Sequence, residues 1–188
     1  ENVDLAVNTG DYSITFKPYT GITPTVTYTQ TADNAGSSGA FVIGILNTSG
    51  AVEVPTNNIV IDGSNTESGT TRDLSFVSSS GTNAYAFRIR GNSDNITIKN
   101  CSMTVTSAGY GIWVNPNADA IPDDITIENC YIQANSTTTA TPVHVASSGT
   151  TTAAMENLVV RNNDIVGRTR GVFLNGNTNV SFIEGNTF

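Results

Sequence analysis

The sequence contains few charged residues, few cysteines and no long apolar run. Charged residues make up 13% of its 188 residues, against roughly 25% in an average soluble protein. No stretch of about 18 apolar residues occurs, so no transmembrane helix is predicted, and clear heptads or long amphipathic runs are also missing. We therefore expect little helix and no membrane insertion. The first residues lack the residue order of a signal peptide, so we expect any export signal to lie outside this segment.

Basic residues are scarce in this acidic chain. Eight Lys and Arg stand against sixteen Asp and Glu, which gives a formal net charge of −8 at pH 7. Nucleic-acid binding needs Lys and Arg clustered against a row of phosphates, and no such cluster occurs, so we expect no nucleic-acid partner. The two cysteines, Cys101 and Cys130, are too few for a disulfide framework and lack the companion ligands of a zinc site. We expect no metal and no cofactor.

A short strand pattern recurs along the chain and organises it. The six copies lie at residues 14–17, 59–62, 96–99, 125–128, 158–161 and 181–184. A second set of strands is predicted at 87–89, 112–114, 143–145 and 172–174, and a third at 74–76, 103–105, Ile132 and Ile165. Three short strands per copy, each with apolar residues two apart, predict an all-β parallel β-helix solenoid of about six coils, filled by side chains stacked coil on coil.

The turn after the main strand gives an independent alignment. Asn100, Asn129 and Asn162 share one column, and Cys101, Cys130 and Asn163 share the next. Stacked Asn amides can hydrogen-bond along the axis of such a fold. Parallel strands lie about 4.8 Å apart, which permits a disulfide between the two cysteines. We expect two buried free thiols, with the disulfide as the alternative.

A column of charges at the end of the main strand alternates in sign at every step. Its members are Lys17, Asp62, Lys99, Glu128, Arg161 and Glu184. Opposite charges that face each other in a sheet contribute roughly 0.2 to 1 kcal/mol, and like charges repel, so the column helps to fix the register. The last member depends on aligning Ser181 with Leu158. Aligning Val180 instead fits the apolar pattern upstream and breaks the column.

The units NITIKNC at 95–101 and DITIENC at 124–130 resemble the repeat of the pectate-lyase-like superfamily of right-handed parallel β-helices. Segments 12–21, 59–65 and 71–74 are more narrowly similar to long secreted surface proteins of Bacteroidota-type bacteria. The resemblance implies a right-handed helix, an extracellular or cell-surface location, export by the type IX route and often no enzymatic activity. We expect residues 1–188 to be a single β-helix segment, an excerpt of a longer repetitive protein.

Three functions are compatible with this fold: a structural or adhesive role, polysaccharide lysis or hydrolysis, and ice binding. The outward residues of the main strands form an uncharged column, which reads Thr15, Val60, Thr97, Thr126 and Val159. The valines interrupt the regular threonine array that is typical of ice binding. The densest carboxylate group, Asp119, Asp123 and Asp124, is typical of a solvated loop, although the last two could match one polygalacturonase motif. We predict a non-catalytic structural or adhesive protein without catalytic residues. A lyase or glycoside hydrolase is the alternative.

The second strand set predicts a partner-binding column. Arg88, Trp113, His144 and Phe173 each lie between inward apolar residues and should therefore point outward, one per coil. An exposed strip of this kind is covered either by the chain's own loops, here those around 117–122 and 147–154, or by a partner. The expected partner is a second copy, in end-to-end or lateral contact, or a surface polysaccharide.

Overall fold

The computed structural model describes residues 3–5, 10–30, 39–44, 56–80, 84–116, 120–146, 154–175 and 178–188. These residues form seventeen strands, and no helix occurs among them. The described part of the chain accordingly holds no helix that is long and apolar enough to cross a membrane. The chain is all-β, as its composition predicts.

The strands are short and follow one another closely along the chain. In order they are β1 (Val3–Leu5), β2 (Ile14–Phe16), β3 (Thr25–Gln30), β4 (Phe41–Ile43), β5 (Ile59–Asp62), β6 (Leu74–Ser80), β7 (Ala84–Arg90), β8 (Ile96–Lys99), β9 (Cys101–Val105), β10 (Gly109–Asn115), β11 (Ile125–Glu128), β12 (Tyr131–Ala134), β13 (Thr141–Ala146), β14 (Met155–Arg161), β15 (Asp164–Gly167), β16 (Val172–Asn175) and β17 (Thr178–Glu184). Each strand from β1 to β14 pairs in parallel with the strand three places further along the chain, for example β5 with β8 and β8 with β11.

This pairing produces three parallel sheets. Sheet A contains β1, β4, β7, β10, β13 and β16, sheet B contains β2, β5, β8, β11, β14 and β17, and sheet C contains β3, β6, β9, β12 and β15. The chain visits sheets B, C and A in turn, and we call one such passage a coil. The arrangement fits a parallel β-helix, and the three predicted strand sets correspond to sheets B, A and C. The repeat pattern missed β1, β3 and β4, which lie in the irregular first part of the chain.

The core consists of side chains stacked in columns. Ile96 pairs with Ile125 and Ile98 with Ile127 in adjacent strands of sheet B, and all four are fully buried. Leu158 and Val160 of the next sheet B strand are also fully buried, so apolar residues two apart point inward, as the repeat pattern predicts. Fully burying one such aliphatic side chain stabilises a fold by about 1.5 to 3 kcal/mol. The columns therefore hold successive coils together.

The corners on both sides of the sheet B strands use left-handed backbone conformations. Residues with φ between 49° and 56° occur at both ends of β8, β11 and the main part of β14: Asn95 and Asn100, Asp124 and Asn129, and Asn157 and Asn162. Asn and Asp tolerate this region better than other non-glycine residues because their short polar side chains hydrogen-bond locally. The sharp corners therefore need these recurring Asn residues for their backbone conformation, in addition to any hydrogen bonds that the side chains form.

The predicted asparagine ladder is present in part. The amide of Asn129 donates to Oδ1 of Asn100 at 2.7 Å, and the amide of Asn100 donates to Oδ1 of Asp62 at 2.7 Å. Asn162 has the same backbone conformation, but its side chain is exposed. The ladder thus runs from Asp62 to Asn129, and Asn162 continues it in backbone conformation.

A loop at residues 63–73 closes over this ladder. Backbone oxygens of Gly69 and Thr70 accept hydrogen bonds from the amides of Asn100 and Asn129 at 3.2 and 2.7 Å. Arg72 donates from Nε to the backbone oxygen of Asn129 at 2.8 Å and forms an ion pair with Asp164. The loop is therefore fixed to coils beyond its own.

Both cysteines are free and buried. The thiol of Cys101 donates to the backbone oxygen of Lys99 at 3.1 Å, and that of Cys130 donates to Glu128 at 3.3 Å. A hydrogen bond with the Cys130 thiol, together with burial, raises the pKa of Cys101 well above its usual range. The Cys101 thiol therefore remains protonated, and both cysteines serve as core residues.

The charge column forms two ion pairs in the described chain. Lys99 lies 3.4 Å from Asp62, and Arg161 lies 2.8 Å from Glu128. Lys17 instead donates to the backbone oxygen of Thr66 at 3.4 Å. The sign of the charge alternates along the whole column, but the ion pairs join only Asp62 with Lys99 and Glu128 with Arg161 in the described chain.

The alignment of the last main strand is resolved by a bulge. Leu158 pairs with Val180, whereas Val159 pairs with Phe182 and Arg161 with Glu184. The prediction that Ser181 aligns with Leu158 is therefore wrong, while the predicted place of Glu184 in the charge column is confirmed. Both sequence alignments were partly right because one extra residue in β17 accommodates both the apolar pattern and the charges.

We predict that Asn129→Ala lowers the free energy of unfolding by about 2 to 3 kcal/mol, because Ala is strained in the left-handed region and leaves the ladder unpaired. Asn129→Gly loses the same ladder contacts without the backbone strain, so it should lower the free energy of unfolding by about half as much. Asn162→Ala is the matched control, since it introduces the same strain at an exposed amide. Urea denaturation measures all three, and equal losses for the two Ala variants would show that the ladder contributes no stability.

Candidate functional site

The outer side of sheet A carries the predicted partner-binding column. Trp113 of β10 pairs with Arg88 of β7 on one side and with His144 of β13 on the other. His144 in turn pairs with Phe173 of β16. The four residues therefore occupy one column across four adjacent strands, in the predicted order.

Their rings form part of a larger aromatic stack. Tyr110 lies parallel to His144 with ring centroids 3.8 Å apart and planes 7° apart, and His144 lies 5.0 Å from Phe173. Tyr85 stacks on the other side of Tyr110 at 5.5 Å. Trp113 lies beside both tyrosines, at 4.9 Å from Tyr85 and 5.7 Å from Tyr110. The predicted column did not include the two tyrosines. Each precedes a column member by three residues, and this common offset was a usable signal.

A guanidinium group lies at each end of the stack. Cζ of Arg88 is 4.2 Å from the centroid of the Trp113 ring, and Arg88 also donates to Oδ1 of Asn115 at 3.0 Å. At the other end, Cζ of Arg170 is 4.3 Å from the Phe173 ring. A cation over an aromatic face contributes about 0.5 to 2 kcal/mol, depending on desolvation. We call Tyr85, Arg88, Tyr110, Trp113, His144, Arg170 and Phe173 the aromatic–arginine face.

The side chains of this face are less exposed to solvent than we expect for a column of residues that point outward from a sheet. Arg88 and His144 are only 6% and 8% exposed, and Trp113 and Phe173 are half-buried. Ring faces are covered largely by neighbouring rings and guanidinium groups, so a partner meets ring edges and the exposed Arg170. Most of the loops predicted as cover, around 117–122 and 147–154, lies outside the described residues.

Burial gives the polar groups of this face unusual electrostatics. Desolvation, with a smaller effect of the Arg170 charge, lowers the pKa of His144 to about 4, and its buried Nδ1 has no hydrogen-bond partner. Desolvation and the nearby Arg90 lower the pKa of Arg88 to about 10. His144 is therefore neutral at pH 7, while Arg88 carries a charge.

Positive charge is concentrated in the part of sheet A that carries the face. Strands β4, β7, β10, β13 and β16 contain no Asp or Glu, whereas β1, at the far edge of the sheet, contains Asp4 in the register column of Arg88. Two arginines, Arg88 and Arg90, lie in β7, and Arg168 and Arg170 are exposed in the turn before β16. These are four of the eight basic residues in a chain of net charge −8. The face therefore differs in charge from the protein as a whole.

The candidate acidic group has a structural role in the next coil. Asp123 accepts a hydrogen bond from the backbone nitrogen of Glu156 at 2.6 Å, and Asp124 accepts one from the amide of Asn157 at 2.7 Å. Asp94 accepts one from the backbone nitrogen of Asp123, and burial raises its pKa. Asp119 lies outside the described residues. Within the described residues, no group of three or more His, Cys, Asp or Glu could hold a metal ion.

Comparison with known proteins assigns no relative to this chain. It matches no protein-family model, no curated protein and no solved structure. The resemblance carried by the NITIKNC and DITIENC units therefore remains a prediction.

We predict that His144 makes the fold acid-sensitive. The pKa of His144 is about 4 in the folded state and about 6.5 in the unfolded state. Its contribution to the free energy of unfolding is therefore fully present above pH 6.5. That stability is lost as the pH falls towards 4, by an amount on the order of 2 to 3 kcal/mol. Arg170 faces the imidazole and opposes its protonation.

Urea denaturation at pH 7 and at pH 4 measures this effect, with His144→Phe as the control. The variant keeps a stacking ring and cannot titrate, so its unfolding free energy should fall less over this range than that of the wild type. Carboxylates titrate in both proteins and cancel in the comparison. Identical falls in the two proteins would contradict the assignment.

Proposed function

We propose that the chain is a non-catalytic structural and adhesive β-helix that attaches to acidic polysaccharide through its aromatic–arginine face. The single observation that carries the proposal is the gathering of rings and guanidinium groups on one side of an otherwise acidic protein. The chain would be a right-handed helix of the pectate-lyase-like type. Its extracellular location on a bacterial surface and its export by the type IX route rest on the sequence resemblance.

The structural part of the role is supported by contacts that repeat along the axis. Apolar columns, the asparagine ladder and alternating charges all join one coil to the next, and the 63–73 loop joins coils that are not adjacent. Each contact opposes the sliding or separation of coils. A solenoid held in this way is suited to present a surface at a fixed position.

The adhesive part is supported by the chemistry of the face. Aromatic and arginine side chains are the residues that most often anchor interfaces. Arg170 of the face is exposed, as is Arg168 two residues earlier in the same turn, and arginine binds carboxylates and sulfates through paired hydrogen bonds. The strands of the face hold no carboxylate that would repel an anionic chain. Uronate-containing or sulfated polysaccharides fit these features.

A lyase or hydrolase remains the competing function. Glycoside hydrolysis needs two carboxyl groups about 5 to 9.5 Å apart, on either side of the scissile bond. Asp123 and Asp124 instead use their oxygens to bind the next coil. Release of reducing or unsaturated ends from pectate or alginate by the purified chain would favour the enzyme.

We predict that Arg168→Gln with Arg170→Gln weakens binding to immobilised alginate or pectate roughly tenfold at low salt, because two charge-assisted contacts are removed. Lys99→Gln with Arg161→Gln is the matched control, since it removes two positive charges from sheet B. Binding is measured by surface plasmon resonance over a series of salt concentrations. Equal affinity in all variants would contradict a role for this face.

Phe173→Ser should weaken the same binding while leaving the β-sheet circular dichroism signal intact. Trp113→Ser combined with Phe173→Ser should reduce binding further, and it should also lower stability because the indole contacts Arg88 and Tyr85. The single variant is therefore the cleaner test. If it binds normally, the rings only pack the face, and this segment acts as a rigid spacer.

A further inference from the structure

Three successive turns between sheets C and A form a ridge along the solenoid axis. They comprise residues 106–108, 135–140 and 168–171, which follow β9, β12 and β15 and lead into β10, β13 and β16. The hydroxyl of Ser136 donates to the backbone oxygen of Ser107, and that of Thr169 donates to the backbone oxygen of Thr138 at 2.5 Å. Each turn is therefore fixed to the preceding one, and we call the three turns the corner ridge.

The first residues of these turns share one column. The last residues of β9, β12 and β15 pair with one another in register. The residues that come next are Thr106, Asn135 and Arg168, and all three are exposed. Parallel strands lie about 4.8 Å apart, so the members of the column follow one another at that spacing. This spacing is close to the length of one sugar unit in an extended polysaccharide, so a chain parallel to the axis meets one turn per sugar.

Polar groups of the ridge are available to a ligand. Arg168 and Arg170 form no hydrogen bond or ion pair with another described residue, and Arg170 is held over the ring of Phe173. Oδ1 of Asn135 accepts a hydrogen bond from Gln133 at 3.3 Å, whereas its amide nitrogen donates to no described residue. Hydroxyl and amide groups both donate and accept, as sugar hydroxyls do, and arginine binds carboxylates through paired hydrogen bonds.

Charge favours an anionic chain on this ridge. The three turns hold no Asp or Glu, and both arginines lie in the third turn. Desolvation raises the pKa of Tyr110, and the nearby charge of Arg170 opposes this effect. Arg170 therefore lies close to Tyr110 as well as to Phe173, and the ridge borders the aromatic–arginine face.

We propose that an extended, uronate-containing polysaccharide lies along the corner ridge, parallel to the solenoid axis. One carboxylate binds Arg168 and Arg170, and the next two sugars lie over the turns 135–140 and 106–108. There the hydroxyl and amide groups of the turns replace water around the sugar hydroxyls. The proposal rests on the adhesive role proposed above and adds the orientation and the minimum length of the ligand.

The same features disfavour a chain that crosses the axis. Such a chain meets the ridge at one turn only, and its neighbouring sugars lie over sheet C or over the rings of sheet A. The faces of those rings are covered by one another, as in the stack of Tyr110, His144 and Phe173. They offer little surface to a sugar ring, so only the axial chain gains contacts from all three turns.

The test places a carboxylate at Thr106, the column member furthest from the arginines. Thr106 lies two coils from Arg168, which is about 10 Å along the axis and beyond the screening length of about 8 Å at physiological salt. Only an axial ligand brings its own charge to this position. Thr106→Glu should therefore weaken binding of the alginate hexasaccharide about fivefold and should affect the disaccharide less. Thr126→Glu is the matched control, since it adds the same charge to the outer side of sheet B.

Isothermal titration calorimetry at physiological salt measures the affinity of the 188-residue chain for alginate oligosaccharides from the disaccharide to the hexasaccharide. The wild type should bind the trisaccharide more tightly than the disaccharide. Tighter binding of longer oligosaccharides, together with a selective effect of Thr106→Glu, would support the axial orientation. Equal affinities for the disaccharide and the hexasaccharide would overturn it, as would equal effects of the two glutamate variants.

The arginine variants separate this orientation from the adhesive role itself. Arg168→Gln with Arg170→Gln should weaken binding of oligosaccharides of every length. If binding depends on these arginines but neither on length nor on Thr106, the axial orientation alone is wrong. If the wild type binds no uronate oligosaccharide and no alginate polymer, the adhesive role is wrong and the orientation falls with it.

Discussion

In-register parallel pairing between successive coils is the constraint on which the rest of the structure depends. Side chains alternate between the two faces of a strand, so a slip by one residue would move every isoleucine of sheet B out of the core. The left-handed corners at Asn100 and Asn129 end each sheet B strand at the same column and begin sheet C at the next. Apolar columns, the amide ladder and the charges all depend on this common register.

The same spacing explains the aromatic–arginine face. Parallel strands lie about 4.8 Å apart, a distance close to that between stacked rings. Planar side chains that share or adjoin a column therefore stack along the axis, as Tyr110, His144 and Phe173 do. Stacking covers the ring faces and desolvates the imidazole. The lowered pKa of His144 therefore depends on the coils remaining stacked.

Irregularity is confined to places where the register can be regained. The extra residue near Ser181 shifts β17 against β14, yet Glu184 still meets Arg161. The 63–73 loop extends out of the coil between β5 and β6. It is stabilised by the hydrogen bond from Arg72 to Asn129 and by the ion pair of Arg72 with Asp164. Loops of different length can therefore interrupt the repeat without disturbing the columns.

Three features could be predicted from the amino-acid sequence because each is a local pattern that repeats from coil to coil: the strand sets, the inward columns and the order Arg88, Trp113, His144, Phe173. The folded chain was needed to show how far that column is buried, that Tyr85 and Tyr110 join it, and that Asn162 leaves the amide ladder. These features depend on contacts between residues of different coils and on turns such as that of Arg170. No periodic pattern encodes them, because they arise when coils stack.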